Sequence, residues 1–260
     1  MDYFKKQAEP LFKDLEWNFP EQKSSVVAVV GGHGNNFSNI IKLSEYLAGN
    51  YPVEKVTTVL PDVLRGKLPG VPGLFFTPST ESGSFAKSKE LNSILETVNF
   101  SILAGDFSKN SATTIAIIDA IKNSASPVLL ARDAVDLVES SISEIIEDSK
   151  LFLLASMPQL QKIFRSLLYP KMILLSAPLL QIAETLHKFT LSYENCTVTT
   201  LHQGQILIAS RGQVISTPLE KTHYNPLTFF TGPLPADFAA YNLWNPSKPL
   251  EASAAALLKS

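Results

Sequence analysis

Four stretches of this 260-residue chain gather groups that could do chemistry, each where an apolar run gives way to a helical pattern. GGHGNN (31–36) follows VVAVV. Its glycines would let backbone amides approach a ligand, and the start of a helix favours an anion. The same residues would also make a tight strand-to-helix corner. The spacing is neither G-x-G-x-x-G nor G-x-x-x-x-G-K-[ST], so neither nucleotide fingerprint is present. AGDFSKN (104–110) sets Gly105, Asp106 and Asn110 at another strand end. An acid there could hydrogen-bond a hydroxyl or hold a cation, whereas the simpler role of Asp and Asn in such places is a helix cap. ARDAVDL (131–137) sets Arg132 and Asp133 at a third end, as ligand contacts or as a surface pair. FFTGPLPADFAAY (229–241) is a Thr-Gly turn entering an Ala-rich helix, and free amides around Thr231 and Gly232 would make an anion hole. Asp237 lies one turn into that helix, where its charge also suits the helix dipole.

Other chemistries are excluded or unreadable. The histidines at 33, 187, 202 and 223 are scattered, and no Cys/His cluster has metal-ligand spacing. No Ser-His-Asp or Cys-His arrangement can be read from the order of residues. A net charge of −2 and a pI near 6.1 argue against a nucleic-acid partner, which calls for a basic face. No apolar run is long enough to span a bilayer, and the start MDYFKKQAEPLFKDLEW has no apolar signal core. A lone Cys196 allows no internal disulfide and fits a reducing cytoplasm.

The elements that must position these groups alternate. Residues 1–25 form a polar arm studded with Tyr3, Phe4, Phe12, Trp17 and Phe19, which should pack on its own body or on a neighbouring subunit. Strands are expected at 26–30, 55–61, 100–105, 127–131 and 151–156. Helices are expected at 37–48, 87–97, 110–124, 134–147, 158–168 and 179–189. Residues 37–48 put Phe37, Ile40, Ile41, Ser44, Leu47 and Ala48 on one face, and Gly49 is a suitable stop. PGVPGLFFTPSTESGSF (69–85) reads as loop. From 197 to 218 the period becomes two, with turns at 202–204 and 211–212, so a late β-hairpin region follows. Residues 231–259 are helical with a break near Asn245-Pro246-Ser247. The alternation predicts an α/β fold with a mostly parallel sheet and helices on both faces. Ligands in such sheets bind at the C-terminal ends of strands, which selects loops 31–36, 104–110, 131–133, 155–158, 202–204 and 231–235.

Taken in order, segments of residues 26–258 resemble the ribokinase-like family of ADP- or ATP-dependent NAD(P)H-hydrate dehydratases. VVAVVGGHGNNFSNIIKLSEYLAG is similar to that family's first strand, glycine turn and helix, and KVTTVLPDVL to its second strand. SILAGDFSKN stands at its Gly-Pro-Gly turn, PVLLARDAV at its Asp-Ala-Asp-Ala-Leu strand end, and LLASMPQLQKIF at its Thr-Pro-His-Pro-Gly-Glu segment. TTLHQGQILIASRGQV resembles the Leu-Lys-Gly hairpin strand. FTGPLPADFAAYNLWNPSKPLEASAAAL resembles the closing Gly-Thr-Gly-Asp turn and helices.

The resemblance implies a ribokinase-like domain over 26–260, and ADP or ATP, with Mg as a companion ion, driving loss of water from hydrated NAD(P)H. It places Gly31, Gly32, His33, Gly34, Asn35, Asn36, Gly105, Asn110 and Asp133 on the substrate side. Ser156, His202, Gly204, Thr231 and Gly232 would face nucleotide phosphates. The family's general base falls on Pro233, its nucleotide lysine on His202, and the first acid of Asp-Ala-Asp on Ala131. Its Thr-Pro-His histidine falls near Ser156 and the glutamate near Gln159. Losing a general base commonly costs about 10²–10⁴-fold in rate. Three readings follow: a divergent nucleotide-repair dehydratase with Asp237 or Asp106 as a relocated base; a non-catalytic binder of a nucleotide or dinucleotide; or a small-molecule kinase of the sugar or hydroxymethylpyrimidine type. Small-molecule ligands in the cytoplasm are expected throughout, with an oligomer formed through the arm.

Overall fold

The structure, a computed structural model, describes residues 2–7, 13–68 and 73–258. Phe12 lies outside these residues, as does the side chain of Trp17. Among the described residues ten strands form one sheet: β1 (Phe4–Lys6), β2 (Ser24–Val30), β3 (Val53–Pro61), β4 (Leu74–Thr77), β5 (Phe100–Leu103), β6 (Val128–Ala131), β7 (Leu151–Leu154), β8 (Cys196–His202), β9 (Gln205–Ser210) and β10 (Gln213–Pro218). Their order across the sheet is β1-β10-β9-β8-β7-β6-β5-β2-β3-β4. Only β9 among them runs antiparallel to its neighbours. The helices are α1 (Ser38–Asn50), α2 (Lys89–Thr97), α3 (Ser111–Asn123), α4 (Asp133–Val138), α5 (Met157–Ser166), α6 (Leu179–Ser192), α7 (Leu234–Trp244) and α8 (Pro249–Leu257). This is the expected α/β architecture with both faces covered.

The central strands are apolar on both faces because both faces are buried. Along β2, Val27 and Val29 join the core with α1, α7 and α8, while Ala28 and Val30 join the one with α2 to α6. The late hairpins turn at Gln203-Gly204 and Arg211-Gly212, all four at positive φ, the signature of two-residue turns that follow strand twist.

Three expectations change, and of the two alternatives for the arm the structure shows packing on its own body. The stretch read as loop at 69–85 contains β4, a short strand paired only with β3, which its Pro and Gly flanks concealed. The helix expected at 134–147 is α4 followed by a 3-10 segment Glu139–Glu144. The last helical region starts at Leu234, after Pro233. The arm is woven into the body: β1 pairs with β10, Tyr3 stacks on His187, and Phe19 packs against Tyr51, Tyr241 and Trp244.

The sheet order reverses between β2 and β5. From β2 the chain moves outward through β3 and β4, and from β5 it moves the other way through β6, β7 and β8. Loops leaving such neighbours diverge and open a crevice at their C-terminal ends.

Candidate functional site

That crevice is a cavity of about 250 Å³ between α1 and the turn that enters α7. Asn39, Lys42, Leu43 and Tyr46 come from one face of α1, at helical spacing. Ala104 and Arg132 come from the ends of β5 and β6, and Phe230, Thr231, Gly232, Pro233 and Pro235 from the opposite wall. Lys42 is exposed and makes no ion pair among the described residues.

Behind Arg132 stands Asp106, only 4% exposed. Its Oδ1 accepts from Arg132 Nη2 at 2.8 Å and from Asn36 Nδ2 at 2.7 Å, while its Oδ2 has no partner. The backbone here is unusual. Gly105 has φ 95°, Asp106 φ 58°, and Arg132 φ 57° with ψ −134°. Non-glycine residues persist in such conformations only where their surroundings fix them, commonly beside functional sites. Asp133 does the fixing: its carboxylate accepts from the amides of Asp106 at 2.7 Å and Phe107 at 2.9 Å. A Cβ on Gly105 would collide with that carboxylate.

Below the cavity lies Asp237, with no exposed surface. Tyr46, Tyr51 and Tyr224 donate their hydroxyls to it at 2.9, 2.5 and 2.6 Å. Burial, then the charge of Asp237, pushes each of the three phenols well above its ordinary pKa. Tyr46 touches both the cavity and Asp237.

No protein-family model and no curated protein matches the sequence. Solved structures do. A ribokinase-like superfamily protein from Enterococcus faecalis V583 aligns over 99% of this chain and 86% of its own, with a TM-score of 0.70 at 12% identity. The chain has the ribokinase-like fold. A hypothetical protein from Streptococcus mutans aligns over 96% of this chain and 87% of its own, with a TM-score of 0.65 at 11% identity. Hydroxyethylthiazole kinase from Pyrococcus horikoshii OT3 aligns over 95% and 80%, at 0.54 and 10%.

Within this ribokinase-like fold, most residues singled out by the sequence have structural occupations. The six amides of 31–36 are all engaged. Gly31 donates to Val59 O, Gly32 to Gly105 O, His33 to Asn36 O, Gly34 to Gly83 O, Asn35 to His33 Nδ1 and Asn36 to His33 O. GGHGNN is therefore a self-satisfied corner, and a Cβ on Gly31 would strike Gly105 O and Ile40. The expected anion hole at 231–232 is closed as well, since both amides donate to Thr228 O, at 3.0 and 2.7 Å. Pro233 and Pro235 remove two further donors from the start of α7. Thr231 and Gly232 still line the cavity, but not as free amides.

Four more of these residues have equally local structural occupations. Asn110 caps α3 through Thr113 N. Ser156 caps α5 and donates its amide and hydroxyl to Gln159 Oε1. His202 is buried, with Nε2 on Ala177 O at 2.8 Å. Gly204 supplies the left-handed corner of a hairpin. Asp237 does not line the cavity, so as a base it could act only through Tyr46. Asn39, Lys42 and Tyr46 were missed. Their signal was the polar stripe on α1 beside its apolar face.

Among the described residues, no cluster of His, Cys, Asp and Glu could hold a metal, and no helix is long and apolar enough to cross a membrane.

Proposed function

We propose that the cavity between α1 and α7 binds a small metabolite through one anionic group, without turning it over. The observation that carries this reading is the chemistry of the wall. Lys42 and Arg132 bring positive charge, Asn39 and Thr231 bring hydrogen-bonding groups, and no carboxylate or imidazole lines it among the described residues. Phosphoryl transfer to an alcohol and removal of water from a hydrate both call for a positioned proton acceptor. Pro233, at the position the dehydratases give to their aspartate, cannot serve. The volume of about 250 Å³ lies below the roughly 300–1,000 Å³ of ordinary ligand pockets. It suits a mononucleotide or smaller molecule better than a whole dinucleotide. ADP or ATP would find two side-chain cations here, but the amide cradle for a polyphosphate is closed by Thr228. The residues therefore fit one phosphate or carboxylate and do not fit a triphosphate. A cytoplasmic setting goes with this proposal, because Cys196 is buried and unbridged.

One observation favours a catalytic second reading. Tyr46 joins the cavity to Asp237, so a proton could pass between them through one phenol. In that reading the chain is a dehydratase acting on hydrated NAD(P)H, or a small-molecule kinase.

Thermal-shift titrations with AMP, ADP, ATP, NADH and hydrated NADH, followed by absorbance, separate the two. Specific binding stabilises the folded state by mass action. The binding reading expects a shift with AMP that Lys42→Glu abolishes, and no recovery of NADH absorbance from the hydrate. Recovery that Tyr46→Phe abolishes establishes the catalytic reading. No shift with any compound overturns both.

A further inference from the structure

We propose a second ligand site at the far edge of the sheet, an oxyanion pocket formed by Lys6, Gln7, Gln205, Ser216 and Lys221. These residues line a cavity of about 330 Å³ beside the C-terminal ends of β1 and β10, bounded by Leu179 and Pro218. Two features mark it as built to hold something. Gln7 is 2% exposed and Ser216 is 1% exposed, yet Gln7 Nε2 and Ser216 Oγ have no hydrogen-bond partner. A buried polar group left unmade is costly, and an apolar side chain would fill either position without that cost. The side chain of Gln7 is also held from its other end. Thr217 Oγ1 donates to its Oε1 at 2.9 Å and its backbone amide donates to Ser216 O at 2.8 Å, which leaves Nε2 as the available donor.

The chemistry of the lining then selects the ligand. Lys6 brings positive charge, Gln7 and Ser216 bring donors, and no Asp or Glu among the described residues lines the cavity. Such a set matches a small molecule carrying a phosphate or carboxylate, with Leu179 and Pro218 against its carbon skeleton. The pocket is separate from the cavity at Lys42 and Arg132. β7, β8 and β9 lie between β6 and β10, so the two sites stand roughly 20 Å apart across the sheet at the usual strand spacing.

Titration calorimetry and thermal melts of the full chain with inorganic phosphate and with citrate test the site. Binding of either anion is expected in the millimolar range or tighter, phosphate alone pointing to a phosphate ester and citrate alone to a carboxylate. Lys6→Met should weaken it on the order of tenfold, the scale of one charged hydrogen bond. Ser216→Ala should weaken it severalfold while raising the ligand-free midpoint, because it removes an unsatisfied buried hydroxyl. A merely structural serine would raise the midpoint and leave affinity untouched. The titrations are repeated in a Lys42→Glu background, which removes the anion site of the other cavity, so that the binding that remains belongs to this pocket. The proposal is overturned if neither anion binds, or if Lys6→Met and Ser216→Ala both leave the affinities as they were.

Discussion

Asp106 and Asp237 are both buried carboxylates that stand behind the same cavity, each bonded to one lining side chain, and their surroundings differ in kind. Asp106 sits where the sheet order reverses, on a left-handed backbone, against a guanidinium and a carboxamide, with one oxygen unmatched. Asp237 sits in the core between α1 and α7 and receives three phenolic hydroxyls. The first arrangement restrains a cation that faces the cavity. The second joins Tyr46 on α1 and two other tyrosines to α7. Proximity to a cleft does not make an acid a base. What it neutralises or joins decides its role.

Asp237→Ala tests the second arrangement and has the largest expected effect. It would remove the acceptor that three phenols share, with Tyr224 keeping only its longer bond to Ala256 O at 3.3 Å, and breaking a buried charged network typically costs about 3–5 kcal/mol. Urea denaturation should show that loss, and a smaller one for Asp237→Asn, whose carbonyl oxygen still accepts. A loss under about 1 kcal/mol for Asp237→Ala would mean that the phenols re-pair easily and do not depend on this acid.

Asp106→Asn tests the first arrangement. Asparagine tolerates the left-handed backbone, so the fold should survive with a loss of about 1–3 kcal/mol. Arg132 would then carry unshared charge into the cavity, and AMP binding there should tighten severalfold by calorimetry. Stability and affinity both equal to wild type would show the Arg132–Asp106 pair to be idle.

The fold was legible because parallel strands buried on both faces write themselves as apolar runs, such as VVAVV and LFLLAS, separated by helical patterns. β1 and β4 escaped. One is three residues long with two lysines at the sheet edge, and the other is enclosed by glycine and proline. Of the six loops selected at strand ends, 104–110, 131–133 and 231–235 contribute to the cavity wall, while 31–36, 155–158 and 202–204 do not. What could not be read was the state of the donors. Thr231 and Gly232 look like an anion hole in sequence, and only the turn's closure shows Thr228 O already occupying both amides. The same holds for GGHGNN, whose acceptors come from as far away as Val59, Gly83 and Gly105. Lys42 and Tyr46 escaped because a helix face facing a cavity carries no motif.

The smallest expected effect is a pH dependence at Asp133, which holds the Asp106 loop in place. Burial raises its pKa above the ordinary carboxylate value of 3.8. The amides of Asp106 and Phe107 and the charge of Arg132 pull it down, and the charge of Asp106 adds to the rise. Because the folded pKa is raised, the folded state binds the proton more tightly than the unfolded state. The contribution of Asp133 to stability is then fully present below about pH 3.9 and declines as pH rises through the raised value. Asp136 has the opposite sign. Burial pushes it up, but hydrogen bonds from Lys162 and Gln159 outweigh that and leave it lowered, so its contribution is lost as pH falls. Asp133→Asn cannot titrate, and its carboxamide can accept from only one of the two amides through its oxygen. The gap in urea midpoint between wild type and Asp133→Asn should therefore be widest in acid and narrow as pH rises toward neutral. A gap that widens with pH would mean that the two amides and Arg132 outweigh burial, and would make Asp133 a carboxylate held charged by its loop.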